Sequence, residues 1–237
     1  MKRFICWFSI ALNVAFMIGA GLAVGRLGGI RPAWSRLAHR EVPALYRHRI
    51  SLFEQLPAQK NAVVFLGDSQ TEQAEWHELC NTTAWVALNR GIAGDHVSGV
   101  LSRVDEAMRH QPRMVFLQIG INDLLFGTHP EAVADQYELL VQRIRSANPG
   151  SQLVIQSLLP VNETFRYLST DNRRIATLNE NLQRIAERHA LPYVDLYTPL
   201  ADARGRLATG YTTDGVHLNG DGYRIWMQTI MPFIPKE

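Results

Sequence analysis

Lysine and cysteine are scarce in this 237-residue sequence. Beyond Glu41 lysine occurs only at Lys60 and Lys236. That excludes nucleic acid as a partner, because neutralising phosphates takes clustered cations. The two cysteines are Cys6 and Cys80, and Cys6 lies within an apolar run. An intradomain disulfide is therefore excluded, and both read as small apolar residues rather than as nucleophiles. Charged residues make up 19% and hydrophobic ones 46%, with 17 Gly and 11 Pro. This balance excludes disordered and collagen-like chains and is enough for a real core. No internal repeat is present.

The formal charge of +2 describes neither end of the chain. Six of the 24 basic residues precede the first acid, leaving 18 basic against 22 acidic in the remainder, a balance of −4. The basic residues at the start flank an uncharged run of 22 residues, Phe4 to Gly25. At about 1.5 Å rise per residue a helix of this length crosses a hydrocarbon layer of about 30 Å. Residues 1–25 are therefore expected to be a transmembrane signal anchor, although Gly21-Leu22-Ala23 also suits a cleavage site. Arg26, Arg31, Arg36 and Arg40 lie after the run while Lys2 and Arg3 precede it, a charge bias against export of the downstream body. A long domain overrides such a bias, so the body is expected on the periplasmic or extracytoplasmic side. Residues 26–60 read as a connector: Val42, Leu45, Tyr46, Ile50 and Phe53 predict a juxtamembrane helix ending before Pro57.

From residue 61 to 237 the pattern alternates. Short apolar runs at 62–66, 85–88, 114–119, 153–158 and 193–196 predict buried strands. Stripes at helical spacing lie between them: Val97 to Met108, Val133 to Ile144 and Ile175 to Ile185, with a last helix from Tyr223 to Ile230. Alternating strands and helices imply a parallel sheet covered on both faces.

In such a sheet the reactive groups gather at the carboxyl ends of the strands. There the sequence places Gly67-Asp68-Ser69-Gln70, then Asn89-Arg90-Gly91-Ile92-Ala93-Gly94-Asp95, then Gly120-Ile121-Asn122-Asp123. Asp214-Gly215-Val216-His217 precedes the last helix. A serine needs a base, and the base needs a group that fixes its tautomer. Asp214 and His217, three apart, can pair on one turn and leave Nε2 free for Ser69. The Ser69 and Gly94 amides and the Asn122 side chain are candidate donors to a developing oxyanion.

Asp68 and Asp95 also read as helix caps, and Asp123 as a loop acceptor. His77, His96, His110, His129 and His189 have no metal-ligand spacing and read as surface or capping residues, so no metal is expected. The glycines of the second cluster lack the acid that a dinucleotide fingerprint requires. Asn81 and Asn162 fit glycosylation sequons, a pattern common by chance.

The four clusters resemble, in order and spacing, the four blocks of the SGNH group of GDSL esterases and lipases, over about residues 60 to 234. Their form looks most like bacterial relatives of platelet-activating-factor acetylhydrolase and of the periplasmic thioesterase/lysophospholipase type. The resemblance implies a three-layer α/β/α sandwich with a five-stranded parallel, flavodoxin-like sheet. It implies Ser69 as nucleophile, His217 as base, Asp214 as its orienter, an oxyanion hole of Ser69, Gly94 and Asn122, and no cofactor. Gln70 stands where many members carry an apolar residue, which leaves the pocket shape open. The short segments 124–130 and 159–170 suggest short acyl groups on a carbohydrate or small ester. A lysophospholipase or thioesterase, an acetyltransferase, and a non-catalytic module binding acylated glycan or lipid are the alternatives.

Overall fold

A computed structural model describes residues 42–165 and 168–234. The expected anchor over 1–25 lies outside the described residues. Among the described residues no helix is long and apolar enough to cross a membrane. The boundary between two units of the chain falls between Leu45 and Tyr46. The second starts at Tyr46 and so takes in most of the helix that the sequence assigns to the connector, α1 (Val42–Gln55). Phe53 of α1 is buried, with the Arg49 and Arg90 guanidinium groups 4.8 and 4.6 Å from its ring centre.

The sheet has five parallel strands in the order β2-β1-β3-β4-β5: β1 (Val63–Gly67), β2 (Ala87–Gly91), β3 (Met114–Gln118), β4 (Gln152–Gln156) and β5 (Tyr193–Val194). Alternation along the strands separates two cores. Val64, Leu66, Val115, Leu117, Leu153 and Ile155 face one core, shared with α4 (Val97–Met108), α6 (Pro130–Ala147) and α7 (Asn172–Arg188). Val63, Phe65, Met114, Phe116 and Val154 face the other, shared with α3 (Trp76–Cys80), α8 (Tyr197–Leu200) and α9 (Gly220–Ile230). Trp76 stacks on Phe65 at 4.0 Å and meets Trp226 edge-on at 5.3 Å, geometries that aromatic quadrupoles favour. The expected three layers and parallel sheet are present.

Boundaries differ in two instructive places. The second strand is expected over 85–88 but runs Ala87–Gly91 and contains Asn89 and Arg90. It is an edge strand paired only with β1, Val63 opposite Ala87 through Gly67 opposite Gly91. Its polar side chains find local partners: Asn89 donates to the Glu72 and Ala74 carbonyls, and Arg90 to Glu106. The last helix begins at Gly220 rather than Tyr223, because the Asn219 side chain accepts from the Gly222 N–H and caps the first turn.

The chain runs from β1 to β2 on one side and then to β3 on the other. That reversal opens a crevice at the carboxyl ends of β1 and β3, and two short helices begin there: α2 (Ser69–Glu72) after β1 and α5 (Ile121–Leu125) after β3.

Candidate active site

Ser69 opens α2. Asp68 caps that helix, its Oδ1 accepting from the Gln70 N–H at 3.0 Å, as the sequence suggests. The turn is packed tightly enough that two glycines are needed. A Cβ on Gly67 would lie 2.2 Å from the Gln118 carbonyl oxygen, and one on Gly91 would lie 2.2 Å from the Glu72 backbone nitrogen.

The structure brings Ser69, His217 and Asp214 together across 148 positions of chain. Ser69 Oγ lies 2.9 Å from His217 Nε2, and His217 Nδ1 lies 2.7 Å from Asp214 Oδ2. An ionised carboxylate can only accept, so Nδ1 carries the proton and Nε2 presents its lone pair to the serine O–H. Asp214 Oδ1 accepts from the Val216 and His217 backbone N–H groups at 2.9 and 2.8 Å. Partial burial would raise the Asp214 pKa, but these bonds and the His217 ring outweigh it and hold the carboxyl down at about 2. Gly215, at φ +83°, lets the loop pass where a Cβ would strike the Asn162 carbonyl at 2.3 Å.

Gly94 sits at φ +76° in the loop after β2, a conformation that favours glycine. Asn122 lies on α5 and donates one amide hydrogen to the Asp95 carbonyl at 2.9 Å, leaving the other free. This bond places Asn122 beside the Gly94-Asp95 loop. The Ile92 N–H donates to the Gly67 carbonyl at 3.1 Å, and the Ala93 N–H donates to Glu72 Oε2 at 2.7 Å. The loop is thereby referred to the turn that carries Ser69.

Several neighbouring residues take places other than those the sequence suggests. Asp95 does not cap α4, whose N-cap position is His96. The Val97 N–H donates instead to Asp123 Oδ2 at 3.1 Å, while Asp95 accepts from Arg103 Nε at 2.8 Å. Asp123, on α5, is thus an acceptor as expected, but for the first turn of α4 rather than for a loop. His110, expected at the surface, is fully buried and lies beside Arg90 and the Gln59 N–H. Asn162 is fully buried and donates to the Leu207 carbonyl, so its sequon offers no accessible side chain. Burial pushes the Cys80 thiol up to about 11, far from nucleophilic. Gln70, the position that left pocket shape open, is wholly interior.

Arg103 belongs to none of the four sequence clusters. It is buried, and it donates to both Asp95 and the Gly67 carbonyl, so it ties the loop after β2 to the turn that carries Ser69. A charged residue at the edge of the apolar stripe of 97–108 was the available signal. Among the described residues no group of three His, Cys, Asp or Glu side chains is arranged to hold a metal ion.

The GDSL-like Lipase/Acylhydrolase family matches residues 65–225. Among curated proteins, the chain is 30% identical over 168 residues to the platelet-activating factor acetylhydrolase IB subunit alpha1 of Bos taurus, covering 68% of this chain and 69% of that one. A solved structure from Streptococcus pneumonia, described as a candidate platelet activating factor, superposes with TM-score 0.73 at 25% identity over 85% of this chain and 96% of its own. The Clostridium thermocellum family 3 carbohydrate esterase shares the fold, with TM-score 0.56 at 20% identity over 74% and 97%. With the family match covering most of the sheet, the Ser69 turn and the Asp214–His217 loop alike, the chain belongs to the GDSL-like lipase/acylhydrolase family and is an ester hydrolase.

Proposed function

We propose that the chain is a serine esterase that works through an acyl-enzyme and removes short acyl groups, such as acetyl, from a carbohydrate or small ester. The observation that carries this reading is the continuous hydrogen-bond chain Ser69–His217–Asp214, at 2.9 and 2.7 Å. Ser69 Oγ attacks the ester carbonyl as His217 Nε2 takes its proton. The Ser69 and Gly94 N–H groups and the free Asn122 amide hydrogen receive the oxyanion. His217 then returns the proton to the leaving alkoxide, and water reverses the sequence. Asp214, ionised throughout, holds the imidazolium. The names of the relatives, an acetylhydrolase and a carbohydrate esterase, support the choice of acyl group and substrate class.

A second reading has its own support. Phe126 and Phe165, 45% and 39% exposed, lie in the segments after β3 and β4. The Phe126 ring packs on His96 at 4.9 Å, and Phe165 lies beside Gly215. Two exposed aromatic rings near the site offer apolar surface to a longer acyl chain or lysophospholipid. Residues 1–25 as a membrane anchor, with the hydrolase on the extracytoplasmic side, fit either substrate.

The test is hydrolysis of p-nitrophenyl esters of graded length by the full chain and by Ser69→Ala. The parent is expected to be fastest on acetate, and the variant to lose activity on every ester. Unchanged turnover by the variant refutes the serine mechanism, and a maximum at octanoate or longer favours the lipid reading.

A further inference from the structure

Gln70 comes directly after the nucleophile, yet its side chain is wholly interior. Its amide oxygen accepts from Gln118 Nε2 at 2.7 Å, and its amide nitrogen donates to the Val216 carbonyl at 2.9 Å. Chemistry sets this orientation: a backbone carbonyl only accepts, so the nitrogen must face Val216 and the oxygen is left for the Gln118 amide. The Gln70 backbone is tied as well, its N–H to Asp68 and its carbonyl to the Tyr223 hydroxyl at 2.8 Å. Gln118 closes β3 and is itself fully buried. One side chain thus joins the residue after the nucleophile, the end of β3 and the residue before the base.

We infer that Gln70 is a positioning residue, an interior strut that sets the approach of His217 Nε2 to Ser69 Oγ. The inference rests on the triad proposed above. The base loop has fastenings on its other side: the Asn162 N–H donates to the Gly215 carbonyl at 2.8 Å, and Thr212 Oγ1 accepts from the Gly215 N–H at 2.9 Å. Those bonds shape the loop and hold it to the segment after β4. The Gln70 bond refers it to the nucleophile turn. A leucine of similar size at position 70 would leave the Val216 carbonyl and the Gln118 amide, both buried, without these partners. The loop would then re-seat, and sub-ångström changes in a reacting pair are expensive in rate. Substrate binding, on the other face of Ser69, would be little affected.

The experiment compares full-length parent, Gln70→Leu, Gln70→Met and Gln118→Leu. It reads thermal unfolding, kcat and KM for p-nitrophenyl acetate, the pH profile of kcat/KM, and the rate at which a fluorophosphonate labels Ser69. Gln70→Leu and Gln70→Met are expected to lower kcat about tenfold with KM almost unchanged. Labelling should slow in proportion, and the acid limb of the pH profile should move. Gln118→Leu is expected to cost less than Gln70→Leu. A folded Gln70 variant with parental kcat and pH profile overturns the strut. If neither Gln70 variant folds, Gln118→Leu decides by the same readouts. A parent that does not label at Ser69 refutes the triad and this inference with it. A parent that labels, beside a Gln70→Leu that labels equally fast, refutes the strut alone.

Discussion

Asp68 combines full burial with two carboxylate neighbours. Burial raises its pKa to about 7, the Gln70 N–H opposes the rise, and Asp95 and Asp123 add to it. An unfolded aspartate releases its proton near about 3.9. Between those values the folded state binds more protons, so this group's stability contribution is fully present below about pH 4 and is lost as pH rises through about 7. Asp68→Asn keeps the capping oxygen and removes the titration. Thermal unfolding should find the two proteins alike at and below about pH 4, with the variant gaining through the interval and more stable by about 1–3 kcal/mol at pH 8; parallel profiles would refute the assignment. Residues such as Ser69, Asp214 and His217 were legible in the sequence because their chemistry demands a recognisable neighbour at fixed spacing. Gln70 was not, since its partners lie 48 and 146 positions away and nothing local announces them. Arg103 and His110 give no local sign for the same reason: an interior polar side chain is explained by whatever the fold brings to it.

At the level of elements, β1 and β3 were legible because both of their faces are buried and every residue from Val63 to Leu66 and from Met114 to Leu117 is apolar. β2 was misplaced because an edge strand has only one partner and tolerates Asn89 and Arg90. Its end is nonetheless a tight junction at the site. A methyl on Gly91 would collide with the backbone of α2 rather than with a yielding side chain, so Gly91→Ala should cost about 3 kcal/mol or more and depress activity. Gly210 has open space around its Cα, and Gly210→Ala should stay within about 0.5 kcal/mol of the parent. Urea unfolding of the pair checks this; equal stabilities would mean that α2 can shift away from β2. The short helices α2, α3, α5 and α8, at four or five residues each, fall below what a 3.6-residue periodicity can reveal. Two of them carry Ser69 and Asn122.

Across the whole molecule, charge is segregated: a basic, apolar beginning precedes a body of net negative balance. The anchor proposal predicts that the full chain sediments with membranes and is released by detergent but not by high salt, which would strip a merely electrostatic attachment. N-terminal sequencing of the isolated protein separates an intact anchor from cleavage after Ala23. Recovery of the intact chain in the soluble fraction would refute the anchor. The fold class was legible from alternation, whereas the crevice depended on strand order, which alternation alone does not specify. The 148-residue separation between Ser69 and His217 also orders events during synthesis. The Ser69 turn, β1 and β3 emerge early, but His217 and Asp214, the base and orienter of the triad proposed above, and the Val216 carbonyl arrive only near the end of the chain. A ribosome-held intermediate therefore carries a serine with no base. On the proposed triad, esterase activity reports the completed fold.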